Sequence, residues 1–170
     1  MADPKTIGRY QVLRPIGHGG MGTVYLAEDP LLKRRVAIKV IRVTGAARHQ
    51  AMLRFRREAE ISAQLNHPNL VTIFDVGVEE ELGPFLAMEY VEGKSLARHI
   101  REKSLDQETA ARVLIQAMRA LRAAHRRAIL HRDVKPENIL LESADAKVLN
   151  IKLSDFGFAT YYSKESAESL

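Results

Sequence analysis

Between Ile129 and Asp155 the chain gathers residue types that can move a phosphoryl group. The run His131-Arg132-Asp133-Val134-Lys135-Pro136-Glu137-Asn138 is followed by Asp155-Phe156-Gly157. Phosphoryl transfer to a hydroxyl requires a carboxylate to accept the proton, a cation on the moving phosphate and oxygen ligands for Mg²⁺. Asp133 supplies the carboxylate, Lys135 the cation, and Asn138 with Asp155 the ligands. Pro136 fixes φ and donates no hydrogen bond, which suits a rigid loop. Ile151-Lys152-Leu153 alternates as a short strand that would carry Asp155 to a fixed place. Any one of these residues is ordinarily a solvated surface group. The ordered set points to chemistry.

Such groups need elements that hold a nucleotide against them. Tyr10 to Ile16 reads as a strand and Thr23 to Ala27 as its partner, around Ile16-Gly17-His18-Gly19-Gly20-Met21-Gly22-Thr23-Val24. Glycines at this G-x-G-x-x-G-x-V spacing let backbone amides approach phosphate oxygens without a Cβ in the way. A dinucleotide fingerprint would need a helix next. Here a β-branched and aromatic segment follows, broken by Asp29-Pro30, so a hairpin is expected. His18 is read as a solvent-facing tip residue. Arg35 to Ile41 is a third strand, with Val36, Ile38 and Val40 on one face and Ala37, Lys39 and Ile41 on the other. A small residue and a lysine on one face suit an adenine edge and a phosphate.

Composition bounds the rest. The chain has 170 residues, 46% hydrophobic, enough to bury a core in one domain or two small lobes. It has no cysteine, which excludes disulfides and thiolate metal sites. No apolar run approaches a membrane span, and the polar start is not a signal peptide, so a cytoplasmic protein is expected. The net charge of +5 suits anionic ligands of any kind. With 6% aromatics and no tryptophan there is little sign of a base-stacking platform. The arginines of Arg98–Arg132 read as a solvated helix face.

Residues 1–8 read as a short leader. Ala51–Leu65 is expected to be a helix, with Met52, Phe55, Ala59 and Ala63 recurring at three- and four-residue steps and Pro68 stopping it. Leu70–Val78 and Pro84–Glu89 read as strands joined by an acidic turn, Glu79-Glu80-Glu81-Leu82-Gly83. The change from Met88 to Glu92-Gly93 marks a boundary between a first lobe, 1–91, and a second, 92–170. Ser95 caps a short helix to Lys103, and Asp106 caps a longer one to Arg127. The stripe Val113, Leu114, Ala117, Met118 and Leu121 is expected in the core, and His125 is expected to be structural. Ile139–Leu141 and Val148–Leu153 should form a hairpin.

Taken together, residues 10–160 resemble the front of a eukaryotic-type Ser/Thr protein kinase, and the glycine loop and the Arg-Arg-Val-Ala-Ile-Lys strand are most similar to the bacterial branch. The resemblance implies an α+β fold, with a five-stranded antiparallel first lobe carrying one long helix and an incomplete, mainly helical second lobe. It implies ATP and Mg²⁺ as cofactors and protein serine or threonine as substrate, with no nucleic acid as partner. Lys39 would bind the α/β-phosphates and Glu58, in the Arg-Arg-Glu-Ala setting, would anchor it. Asp133 would orient the substrate hydroxyl, with Lys135 marking the Ser/Thr class, and Asn138 and Asp155 would hold Mg²⁺. The nucleotide set runs through Ile16, Gly17, His18, Gly19, Gly20, Met21, Gly22, Thr23 and Val24. It continues with Ala37, Lys39, Met88, Ser95 and Leu140, while the backbone of Glu89 and Val91 would bind adenine. Arg132 implies control by a phosphorylated segment, with Thr160, Ser163 and Ser166 as targets.

The sequence departs from the family pattern after Asp155, where the Ala-Pro-Glu element and later helices do not follow. Without them, apolar surface on Asp106–Arg127 and around Ile129–Leu130 is expected to be exposed. The kinase reading therefore includes completion by a missing C-terminal part or another kinase chain. Its rival is a truncated module that binds Mg-ATP or a partner kinase without transfer. A small-molecule phosphotransferase is argued against by Lys135 and the glycine loop.

Overall fold

Alternating apolar positions between Tyr10 and Ile41 lay down three neighbouring strands, β2 (Tyr10–Gly19), β3 (Gly22–Asp29) and β4 (Arg34–Ile41). The computed structural model describes residues 3–19, 22–41, 53, 55, 59–60, 64–143, 145 and 148–155, with the backbone of 160–161. The chain divides into two compact units, Met1–Ala59 with Thr72–Tyr90 and Glu60–Val71 with Val91–Leu170.

The first unit is an antiparallel sheet in the order β1-β2-β3-β4-β6-β5, with β1 at Thr6–Ile7, β5 at Ile73–Glu79 and β6 at Gly83–Glu89. The expected sheet gains a sixth strand, because part of the leader pairs. Thr6 and Ile7 lie opposite Gln11 and Tyr10, and Ile7 is fully buried. An isoleucine removed from water contributes about 1.5–3 kcal/mol, which outweighs fraying of the terminus. The register between β2 and β3 slips between Pro15 and Gly17, where proline offers no amide to the ladder. Gly22 sits at φ 147, and a Cβ there would collide with the Val40 carbonyl.

The period of two in β4 separates two cores, as expected. Val36, Ile38 and Val40 join Ile7, Tyr10, Tyr25 and Phe85 on one face. Ile41 packs on the other with Phe55, Ala59, Leu86 and Met88. Leu53, Phe55, Ala59 and Glu60 are helical, and the helical state has ended by Gln64. Met52, Glu58 and Ala63 lie outside the described residues. β5 begins at Ile73, three residues later than expected, because Leu70 makes a bridge to Leu153 instead.

The second unit is built on two helices. Ser95 Oγ accepts from the Arg98 amide to start Leu96–Glu102, and Asp106 Oδ1 accepts from the Thr109 amide at 2.7 Å to start Gln107–His125. Short strands β7 (Lys94–Ser95), β9 (Ile139–Leu141) and β10 (Ile151–Leu153) form a second sheet, and β8 (Ile129–Leu130) pairs with β11 (Thr160–Tyr161). The buried face of the long helix differs from the expected stripe. Val113 and Ala117 are buried, joined by Thr109, Ala120 and Ala124. Leu114 and Met118 are 57% and 60% exposed. Small residues let the helix axis lie close to β8 and β10, which turns the bulky 114 and 118 positions outward. Ile129, expected at the surface, is fully buried, and His125, expected to be structural, is exposed.

Asn69 and Gln116 tie this unit together. Asn69 Nδ2 donates to Gln116 Oε1 at 2.8 Å, to Asn150 Oδ1 at 3.1 Å and to the Ile151 carbonyl at 3.0 Å. Gln116 Oε1 also accepts from the Ile151 amide, and its Nε2 donates to the Leu149 carbonyl. Buried amides satisfied in this way fix where β10, and hence Asp155, leaves the core. Among the described residues no helix is long and apolar enough to cross a membrane.

Candidate active site

After Ile129–Leu130 the backbone turns sharply, with Arg132 at φ 61, and then enters the short 3₁₀ turn Pro136–Asn138. A positive φ at a non-glycine residue is strained and persists only where its surroundings dictate it. The surroundings here are a closed circuit of hydrogen bonds. The buried His131 donates from Nε2 to the Ser154 carbonyl at 3.0 Å and accepts at Nδ1 from the Asp133 amide at 3.3 Å. Asn138 Nδ2 donates to the Asp133 carbonyl at 2.9 Å and to Asp133 Oδ2 at 3.1 Å. The Asn138 carbonyl accepts from the Ser154 amide at 2.8 Å and from Ser154 Oγ at 3.1 Å, which closes the ring.

Two features of this ring were not legible in the sequence. His131 is an orienter, with one nitrogen forced to donate by a carbonyl and the other to accept from an amide, so it is neutral. Burial first of all holds its pKa below the ordinary histidine value. Ser154 was not singled out, yet it joins His131 and Asn138 to the residue before Asp155. Its only signal in the sequence is that adjacency.

Asp133 faces two donors. Lys135 Nζ bonds its Oδ2 at 2.7 Å, alongside the Asn138 amide. The lysine bond is the largest influence and, helped to a lesser degree by the Asn138 amide, holds the Asp133 carboxyl below its usual range against burial, and Asp133 in turn raises Lys135. Asp133 is therefore ionised at neutral pH. Asp155 follows at φ 67, a second strained position, with its carboxylate half-buried.

Asn138 is only 6% exposed, and its amide nitrogen is committed to Asp133. Its side-chain oxygen is thus turned to the opposite side. An amide oxygen and a carboxylate are hard donors, and two of them leave the remaining positions of an octahedral Mg²⁺ to phosphates and water. The donor set fits that ion. Among the described residues there is no cluster of three His, Cys, Asp or Glu that would hold a metal alone.

In the first unit, register places the other expected residues. Val24 lies opposite Lys39, and Ala37 lies opposite Met88. Directly paired residues share a face, so these four line one side of the sheet. Lys39 is 8% exposed there. His18 Nδ1 lies 3.3 Å from Thr23 Oγ1 across the glycine hairpin, and His18 is exposed, as expected. The Glu89 amide donates to the Thr72 carbonyl at 2.8 Å while Glu89 Oε2 accepts from the Thr72 amide at 3.1 Å. In the second unit Ser95 is paired with Leu140 in register. Gly20, Met21 and Glu58 lie outside the described residues.

The sequence matches the family described as protein kinase domain over residues 10–170. The chain belongs to the protein kinase family. It is 46% identical to the serine/threonine-protein kinase PrkC of Bacillus subtilis (strain 168) over 154 residues, 90% of this chain and 23% of that protein. It is 41% identical over 155 residues to the serine/threonine-protein kinase PknB of Mycobacterium tuberculosis (strain ATCC 25177 / H37Ra), covering 89% of this chain and 24% of that one. The chain thus spans about a quarter of the length of these kinases. Among solved structures, the kinase domain of Mycobacterium tuberculosis PknI superposes with a TM-score of 0.77 at 34% identity, covering 94% of this chain and 64% of that domain. The α+β kinase fold and the bacterial Ser/Thr branch, both expected from the motifs, are thereby established.

Proposed function

We propose that the chain is the nucleotide-binding and catalytic-loop part of a Ser/Thr protein kinase, transferring the γ-phosphoryl group of ATP to a protein hydroxyl. The observation that carries this is the closed ring of His131, Asp133, Asn138 and Ser154, which would hold a carboxylate and a metal ligand in fixed relation. Catalysis of this kind is positioning and electrostatics, so rigidity of the loop is the property required.

Residues 1–91 would serve as the nucleotide lobe and 92–170 as the start of the catalytic lobe. The hairpin Ile16–Val24 would cover the phosphates with backbone amides, and Lys39 would hold them, anchored by Glu58. Ala37, Met88 and Leu140 would offer apolar area for adenine, and Ser95 would offer a hydroxyl for the ribose. Because the Glu89 amide is bonded to Thr72, an adenine contact from Glu89 would have to use its carbonyl, and Val91 would supply an amide. Asn138 Oδ1 and the Asp155 carboxylate would hold Mg²⁺. When bound, that ion neutralises charge on the phosphates. Asp133 Oδ2 would accept the bond from the substrate hydroxyl and take its proton, while Lys135 moves to the transferred phosphate.

The test is phosphate transfer from Mg-ATP to a generic protein substrate by the chain and by Asp133→Asn. Transfer by the parent chain and a fall of about 10²–10⁴-fold in the variant is expected. Parent activity no higher than that of the variant would reject the enzyme in favour of a binding module.

A further inference from the structure

The ladder between β9 and β10 pairs Ile151 with Leu141, Lys152 with Leu140 and Leu153 with Ile139. One step further the register sets Ser154 opposite Asn138, and a rung forms there from the Ser154 amide to the Asn138 carbonyl at 2.8 Å. Beyond it the ladder stops. Asn138 closes the 3₁₀ turn that begins at Pro136, and Asp155 leaves with φ 67. The two residues read as Mg²⁺ ligands therefore stand at the open end of a ladder, Asn138 in the last rung and Asp155 just past it. A terminal rung opens most readily, because nothing beyond it holds the strands together.

Ser154 adds a second bond to the same acceptor. Its Oγ donates to the Asn138 carbonyl at 3.1 Å, so one oxygen takes both the amide and the hydroxyl of a single residue. Both lone pairs of that carbonyl are thereby used. Ser154 is half-buried, which shields the hydroxyl bond from competing water. Its own carbonyl accepts from the buried His131. Ser154 is thus held at its nitrogen, its hydroxyl and its carbonyl, and the next residue is Asp155.

We propose that Ser154 is a positioning residue for Mg²⁺: its hydroxyl locks Asn138 to the residue that carries Asp155, so that the amide oxygen and the carboxylate meet the ion together. The proposal rests on the reading of Asn138 and Asp155 as the metal ligands. Mg²⁺ demands near-ideal octahedral geometry at about 2.0–2.1 Å, so play between two of its ligands lowers affinity. Having given its hydrogen to Asn138, the hydroxyl has none to donate to a nucleotide, and its effect is confined to the metal. An alanine at this position would keep the rung and lose only the lock.

The test is calorimetric titration of the 170-residue chain with the β,γ-imido analogue of ATP, in EDTA and in excess Mg²⁺. The proteins compared are the parent, Ser154→Ala, Ser154→Thr and Asp155→Asn. The analogue resists transfer, so the readout is binding alone. Mg²⁺ should tighten binding to the parent, and Asp155→Asn should remove most of that tightening. In Ser154→Ala the tightening should shrink about three- to tenfold, the range of one net hydrogen bond, while affinity in EDTA stays within about twofold. Ser154→Thr keeps the hydroxyl and should restore the parent's behaviour. Equal losses in EDTA and in Mg²⁺ would assign the effect to the fold or to nucleotide contacts and overturn the proposal. A threonine variant as weak as the alanine one would overturn it too. Undiminished tightening in Ser154→Ala, with Asp155→Asn deficient, would leave the metal site standing without this residue. A parent whose affinity is the same in EDTA and in Mg²⁺ would remove the metal site itself, and the proposal with it.

Discussion

Replacing His131 by phenylalanine keeps a ring of similar size in a site that is 2% exposed, and removes both nitrogens from the circuit around Asp133. The Asp133 amide and the Ser154 carbonyl each lose a partner, at about 1–3 kcal/mol for each group left unsatisfied. Part of this is offset by the greater apolar character of phenylalanine, which leaves a net loss of about 2–4 kcal/mol. For a chain of this length that lowers the melting temperature by about 5–15 °C. A second effect separates this account from simple damage to the core. The folded state keeps His131 neutral because burial disfavours the imidazolium, while the unfolded state titrates at about 6.5. Its contribution is therefore complete above pH 6.5 and is lost as the pH falls from there towards the lower folded value. The steepest slope per histidine is about 1.4 kcal/mol per pH unit. Among the described histidines, His67 and His99 are lowered by the same first cause, so three of them cost stability in this range in the parent chain and two in His131→Phe. Calorimetric melts of both proteins at steps from pH 7.5 to 5 read the magnitude and the slope together. A variant that melts within about 1 °C of the parent, with an unchanged pH slope, would refute the orienting role of His131.

Lys135→Met removes the largest influence holding Asp133 in its ionised form. The acid limb of the transfer rate should move to higher pH, and an unmoved limb in the pH–rate profile would count against the pairing. Lys39→Met should cut transfer about 100-fold or more while nucleotide affinity changes less than about tenfold, as read by single-turnover and binding assays. Equal losses in both would assign the lysine to ground-state binding alone. Asp155→Asn should abolish the Mg²⁺-dependent part of the upward melting shift produced by ATP. A shift that is the same with and without Mg²⁺ in the parent chain would remove Asp155 from the metal site.

What could be read from the sequence follows periodicity and short-range chemistry. The two faces of Arg34–Ile41, the glycine hairpin, and the Ser95 and Asp106 caps depend on residues within a few positions of one another, and they emerge as expected. The strand at Thr6–Ile7 depends on Tyr10 and Phe85 offering a buried place for Ile7, a tertiary fact with no local signature. The apolar stripe on Gln107–His125 was misplaced by part of a turn for a similar reason. Hydrophobicity alone ranks Leu114 and Met118 above Ala120 and Ala124, whereas close packing against a sheet selects the small residues. In the site, motif spacing brought Asp133, Lys135, Asn138 and Asp155 to attention, but not the bonds between them. The ring through His131 and Ser154 uses three backbone carbonyls and two backbone amides, groups that no motif displays.

The low pKa of Asp133 bears on how such a site would work. A carboxylate held down by an ammonium at 2.7 Å is a weak proton acceptor in the resting state, so its first task is to orient a hydroxyl by hydrogen bonding. The same ammonium is the group that a γ-phosphate would attract. As Lys135 shifts towards phosphate oxygens, Asp133 loses its largest stabilising partner, and its affinity for a proton rises when the hydroxyl begins to need a base. Asn138 stays bonded to Asp133 through both the carbonyl and the carboxylate, so the orientation survives the exchange. Two residues apart on a loop stiffened by Pro136, the pair would thus couple the arrival of phosphate to the activation of the nucleophile. An arginine at position 135 would keep the charge, but its planar fork would hold the carboxylate in two places at once and resist the transfer of contacts.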